Sequence, residues 1–312
     1  MAAVPDSLPS QKSTTVRSVS APWWLRAAFA SGSLVMPQAT VAQAARLFGT
    51  PMRSSHKRAL AADPGDGRLE WLDQGDTRLA TYVWGDPRTQ PWVLFVHGWS
   101  SFGLRCLPWM TALRQAGYAF VSYDQPQHGR SEGGSASVPG FASALTPVAR
   151  QHGRPAAVIA HSMGGAAATY ALAQGLEAER AILIAPAADM RAAGERFAGM
   201  VGLAQSLVGP MFAGFARALG VSVDDIAAHP HGPTLGLPAP VVHDLADTDV
   251  PWHEGEAYAR LWPRARLLST TGMGHHRIAA DPLVIAAALR FLAGETVGER
   301  VVSSPNLPFG LA

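Results

Sequence analysis

The 312-residue chain is 48% hydrophobic and 15% charged, enough apolar material to bury the core of one large α/β domain. Its formal charge of +2 rests on scattered arginines without a Lys/Arg run, which argues against nucleic acid as a partner. One cysteine, Cys106, excludes an internal disulfide framework and a cysteine-based zinc cluster, and its expected role is that of a small core hydrophobe.

The first twenty residues are rich in Ser, Pro and Thr, lack an apolar pattern and are expected to be disordered as far as Pro22. The stretch PWWLRAAFASGSLVMPQATVAQAARLFG follows. Ala42-Gln43-Ala44 imitates a signal-peptide cleavage site, but Arg26 interrupts the apolar run and no charged segment opens the chain. Two docking helices and a cytoplasmic location are therefore expected. Val41, Ala44, Ala45 and Phe48 share one helical face, and Gly49 supplies a stop.

From Leu69 onward short apolar runs alternate with helical stretches: LEWLD, RLATYVW, WVLFVHG, YAFVSYD, AAVIAHS, AILIAP, PVVHDLA and ARLLSTT. Helices are expected over 104–116, 139–152, 164–175, 252–262 and 282–292, the last capped by Asp281 before a proline. Strands separated by helices predict an α/β fold, with a mostly parallel central sheet covered by helices on both faces. The first two strands, with no helix between them, predict an antiparallel hairpin at one edge.

Some fifty residues between Pro186 and Pro240 break this alternation. Phe197–Ala216 carries apolar residues at bilayer-spanning length, but four glycines and the Gly209-Pro210 break predict two shorter helices forming a lid, not a membrane span. The expected organisation is a disordered start with docking helices over 1–66, a core over 67–187 and 236–312, and a helical cap insertion over 188–235.

The stretch VIAHSMGGAAATYALA, from Val158, runs from a buried strand straight into a helix with Ser162 on the joint. A turn this tight requires small neighbours, here Ala160, Gly164 and Gly165, and it lifts the hydroxyl out of the sheet. A serine nucleophile needs a base, an acid and oxyanion donors, and in an open sheet these gather beyond the carboxyl ends of the strands. The amides of Trp99, after the Gly98 turn, and of Met163, opening the helix, are the candidate donors. His97 and His161 read as structural. Asp244, Asp247 and Asp249 compete as the acid, and His275 and His276 as the base. Zinc would have to join these histidines to His229, His231, His243 or His253, but no HExxH or comparable pattern occurs, so neither metal nor cofactor is expected.

The order of serine, aspartate after the penultimate strand and histidine after the last strand resembles the α/β-hydrolase fold, over nearly all of Leu69 to Leu292. Its G-x-S-x-G elbow corresponds to Ala160-His161-Ser162-Met163-Gly164, with alanine in place of the first glycine. His97-Gly98-Trp99 resembles the oxyanion loop, and Asp124 to Ser131 the D-x-x-G-x-G-x-S loop with Gln127 in place of a glycine. The resemblance selects Asp247, within His243 to Pro251, as acid and His275, within Gly272 to His275, as base. It implies a serine esterase or lipase working through an acyl-enzyme on a small-molecule ester, with an apolar acyl group suited to the uncharged insertion. A thioesterase, a serine peptidase using Glu254 or Glu256 to anchor a free amino terminus, and a non-catalytic small-molecule receptor are the alternatives. The sequence does not specify an oligomeric state.

Overall fold

The computed structural model describes residues 21–301, so the expected disorder of residues 1–20 lies outside the described residues. All eight apolar runs are strands of one sheet: β1 (Arg68–Gln74), β2 (Thr77–Trp84), β3 (Trp92–Val96), β4 (Ala119–Tyr123), β5 (Ala157–His161), β6 (Ala181–Ile184), β7 (Ala239–Asp244) and β8 (Ala265–Thr270). They lie in the order β1-β2-β4-β3-β5-β6-β7-β8. The β1–β2 hairpin is antiparallel at the edge, β2 runs antiparallel to β4, and every pairing from β4 to β8 is parallel. Strands β3, β4 and β5 are buried at every residue, which is why they read as continuous apolar runs without alternation.

Three helices precede the sheet, α1 (Trp23–Val35), α2 (Pro37–Phe48) and α3 (Arg53–Ala61). The sheet carries α4 (Leu107–Gln115), α5 (Val138–His152) and α6 (Met163–Ala173) between its first strands. Between β6 and β7 lie α7 (Met190–Val201), α8 (Val208–Leu219) and the single turn α9 (Ala228–His231). The chain closes with α10 (Trp252–Leu261), the short α11 (Gly274–Arg277) and α12 (Pro282–Leu292), which Asp281 caps by accepting from the Leu283 amide at 2.9 Å. One sheet face packs Leu94, Val96 and Val121 against α5, α6 and α10; the other packs Val93, Phe95 and Phe120 against α4 and α12. Cys106 is fully buried on that second face, where burial pushes its thiol pKa up and leaves it a core hydrophobe.

The stretch over 197–216 is two helices, and no described helix is long and apolar enough to cross a membrane. The break falls elsewhere than expected. Gly202, left-handed at φ 81°, ends α7, whereas Gly209-Pro210 sits in the first turn of α8. Proline is tolerated there because first-turn amides have no intrahelical partner, so it opens a helix without interrupting one.

Helix α3 was not expected, and its composition explains why: only Ser55 and Ala59 turn inward from an otherwise polar segment. Helices α1 and α2 pack on the insertion. Phe48 ends α2 with its ring 5.2 Å from that of Phe197, 5.9 Å from Phe212 and 6.1 Å from Phe215. Phe29 and Ala44 join Ala198, Val208 and Met211 in one apolar cluster, and the Ala204 amide donates to Ser33 Oγ at 3.2 Å. Phe48→Ala should therefore cost about 2 kcal/mol, below the range for a fully buried phenylalanine because Phe48 is half-buried. Hydrogen exchange should rise in α1, α2, α7 and α8 while the sheet stays protected.

Candidate active site

Ser162 stands between β5 and α6 in a left-handed conformation, φ 58° and ψ −128°, that side chains rarely adopt. Its surroundings leave no space for larger residues. A Cβ on Gly164 would lie 2.6 Å from the His97 carbonyl oxygen, one on Gly165 2.8 Å from Pro186 Cβ, and one on Gly98 2.7 Å from Ser162 Cβ. Ala160, where a glycine is usual, points its methyl into the core against α5 and α6 and does not crowd the turn. The Met163 amide opens α6, and neither it nor the Trp99 amide has an acceptor among the described residues.

The three sequence-selected side chains come together although 113 residues separate the serine from the histidine. His275 Nε2 lies 2.9 Å from Ser162 Oγ, and its Nδ1 lies 2.7 Å from Asp247 Oδ2. All three residues are buried. Asp247 Oδ1 accepts from the Asp249 and Val250 amides, both at 2.9 Å. Burial opposes ionisation of Asp247, but the His243 Nε2–H, 3.4 Å away and shared with the Val250 carbonyl, together with His275 and the Val250 amide outweighs it and holds the carboxyl well below the usual range. It is a carboxylate that can only accept from His275.

The competing residues have other partners. Asp244 Oδ2 accepts from Thr270 Oγ1 at 2.8 Å and from the Met273 amide at 2.9 Å, which fixes the loop carrying His275. Asp249 and His276 form a half-exposed pair at 3.2 Å. Asp249, His275 and His276 bring possible ligand atoms within 4.8 Å of one another, but both ring nitrogens of His275 already face Ser162 and Asp247. His243, fully buried, donates from Nε2 to the Val250 carbonyl at 2.9 Å and pins the acid loop. Glu254 and Glu256 are committed too. Glu254 is 2% exposed, accepts from the Ala188 and Asp189 amides and pairs with Arg196 at 2.7 Å; Glu256 pairs with Arg260 at 2.6 Å.

Three further histidines tie the loops together. His97 accepts from the Gln125 amide at Nε2 and donates from Nδ1 to its neighbour's carbonyl, Gly98 O. His128 repeats the pattern, accepting from the Ser100 amide and donating to Pro126 O, so that the Trp99 loop is fastened to the loop after β4. His161 donates to the backbone carbonyl of His275 at 2.9 Å, its ring 4.8 Å from that of His275. The positioning roles of His128 and His161 have no sequence signal beyond their nearness to motif residues. Gln127 takes φ 61°, as the expected glycine would, and its side-chain amide donates to Gly134 O at 2.7 Å. Contact from α3 was also missed: the Met52 amide donates to Ser100 Oγ at 2.9 Å, and Arg130 donates to the carbonyls of Leu60 and Ala62.

Burial lowers the pKa of His128 to about 4, and burial together with the adjacent His275 ring lowers that of His161 to about 3, both from 6.5. Below 6.5 the unfolded chain binds protons that the folded chain refuses, so stability falls as pH drops through the window from 6.5 to about 4 for His128 and to about 3 for His161. At pH 5.5 each group costs on the order of 1 kcal/mol relative to pH 8. Thermal melts from pH 8 to pH 5 should show this loss, and His128→Gln should reduce the slope by one histidine's share.

The chain resembles many solved structures. A candidate lipase from Acinetobacter baumannii matches with a TM-score of 0.58 at 17% identity, covering 78% of this chain and 94% of that one. A thermophilic esterase from Thermogutta terrifontis matches at 0.55 and 20% identity, covering 73% and 98%. A bacterial membrane phospholipase A matches at 0.58 and 16% identity, covering 87% and 96%. No curated protein matches the chain. The family model described as serine aminopeptidase, S33, matches residues 87–248, just over half of the chain and the stretch running from just before β3 into the acid loop. With that match on a sheet of this order, the chain belongs to the serine aminopeptidase, S33, family of α/β hydrolases.

Proposed function

We propose that this α/β hydrolase cleaves a carboxylic ester through a Ser162–His275–Asp247 triad and an acyl-enzyme, acting in the cytoplasm on a small molecule with an apolar acyl group. The observation that carries the reading is the continuous hydrogen-bonded line from Asp247 through His275 to Ser162 Oγ, ending on a serine held in a left-handed turn. Ser162 Oγ attacks the carbonyl carbon as its proton passes to His275 Nε2, and Asp247 orients the resulting imidazolium. The oxyanion faces the amides of Met163 and Trp99. Collapse expels the alcohol, which takes the proton from His275; water, deprotonated by the same nitrogen, then releases the acid.

An ester is favoured over an aminoacyl amide because the two carboxylates suited to anchoring a free amino terminus, Glu254 and Glu256, already pair with Arg196 and Arg260. An apolar acyl group is favoured because the cluster joining α1, α2, α7 and α8 continues to Trp99 and Met163, beside the serine. The segment from α7 to α9 then acts as the cap of the site, within the 188–235 insertion.

A fluorophosphonate reagent should label the wild-type protein and not Ser162→Ala, which separates a hydrolase from a non-catalytic receptor in one gel. Ser162→Ala and His275→Ala should each lower kcat by on the order of 10⁴-fold while retaining the wild-type melting temperature. Asp247→Asn should lower kcat strongly, whereas Asp249→Asn should change it little; the reverse order would move the acid by two residues. Across p-nitrophenyl esters kcat/KM should climb from acetyl to mid-length acyl groups, each buried methylene contributing up to about 0.8 kcal/mol, and should exceed that for aminoacyl amides. A flat series, or preference for the amides, would overturn the ester assignment.

A further inference from the structure

We infer that α1, with the basic α2 packed against it and the basic α3 following in the chain, is a docking surface for an anionic phospholipid bilayer. Helix α1 turns Phe29 inward, and its opposite face lies open: Trp23 is 80% exposed, Leu34 86% and Val35 78%, with Trp24 and Met36 also exposed. These large apolar side chains stand at both ends of the helix, three turns apart on one side, and no described residue covers them, which marks an interaction face.

Charge decides the occupant. Residues 21–62 contain five Lys and Arg, and no Asp or Glu occurs from residue 7 to residue 62, in a chain whose formal charge is only +2. Arg26, Arg46, Arg53, Lys57 and Arg58 are all exposed, and none forms an ion pair among the described residues. A second copy of the chain apposed through α1 and α2 would set Arg26 and Arg46 against their own kind. An anionic leaflet supplies both missing partners, phosphate charge for the basic residues and acyl-chain surface for Trp23, Trp24, Leu34 and Val35. With 13 residues α1 spans about 20 Å, short of the bilayer core, so it lies in the surface plane with its tryptophans at headgroup depth.

Flotation of the full chain with phosphatidylcholine vesicles, with and without 30 mol% phosphatidylglycerol, tests the inference; about 30 mol% approximates an anionic leaflet. The protein should float with the anionic vesicles, weakly with the neutral ones, and less as salt rises. Trp23→Ser with Trp24→Ser should weaken partitioning about tenfold or more, and Arg46→Gln about fivefold on the anionic vesicles alone. These exposed substitutions should leave the melting temperature unchanged. Failure to float with anionic vesicles, or flotation indifferent to the tryptophan pair, would overturn the inference. So would a dimer in sedimentation velocity that the tryptophan substitutions convert to monomer, since that would identify a second copy as the occupant.

Discussion

The backbone at Ser162 is the constraint from which the site is built. A strand that becomes a helix within one residue forces the serine to φ 58° and presses α6 against the end of β3, where Gly164 nearly touches the carbonyls of Val96 and His97. Such strain persists only where the surroundings over-determine it. Here they do, since the Ser162 amide donates to Ile184 O while the Ser162 carbonyl accepts from Gly165 and Ala187. The same closeness brings Gly98 against the serine, so one tight turn sets both the nucleophile and the loop bearing the Trp99 amide.

Imidazole rings hold the remaining loops, and in doing so they divide the labour. His97, His128 and His161 are buried and kept neutral by desolvation, each linking strand-end loops through backbone partners. A neutral ring offers one donor and one acceptor at fixed spacing, which suits it to joining an amide on one loop to a carbonyl on another. Only His275 pairs a side-chain acid with a side-chain hydroxyl. Among the described residues six histidines thus serve the loops around one serine, counting His243 and His276, with environment and not residue type deciding what each does.

The sheet was legible because buried parallel strands leave apolar runs punctuated by turn residues, and all eight runs became strands. The meeting of Ser162, Asp247 and His275 was legible through strand order, since each follows the carboxyl end of its own strand. What escaped was carried by backbone atoms or by polar helices. Helix α3 has too small an inward face to leave a period, and the support that Asp244 gives the His275 loop depends on a main-chain amide. Pro210 misled because proline marks a helix start as readily as a helix break, and only the packing of α8 distinguishes them.

The packing of α1 and α2 on α7 and α8 joins segments that synthesis separates by some 150 residues. Phe29, Ala44 and Phe48 leave the ribosome long before Phe197, Met211 and Phe212 exist to cover them. At about 5–20 residues per second the two leading helices wait on the order of ten seconds with their inner faces bare. The tertiary structure of this layer is therefore complete only after the central strands have emerged.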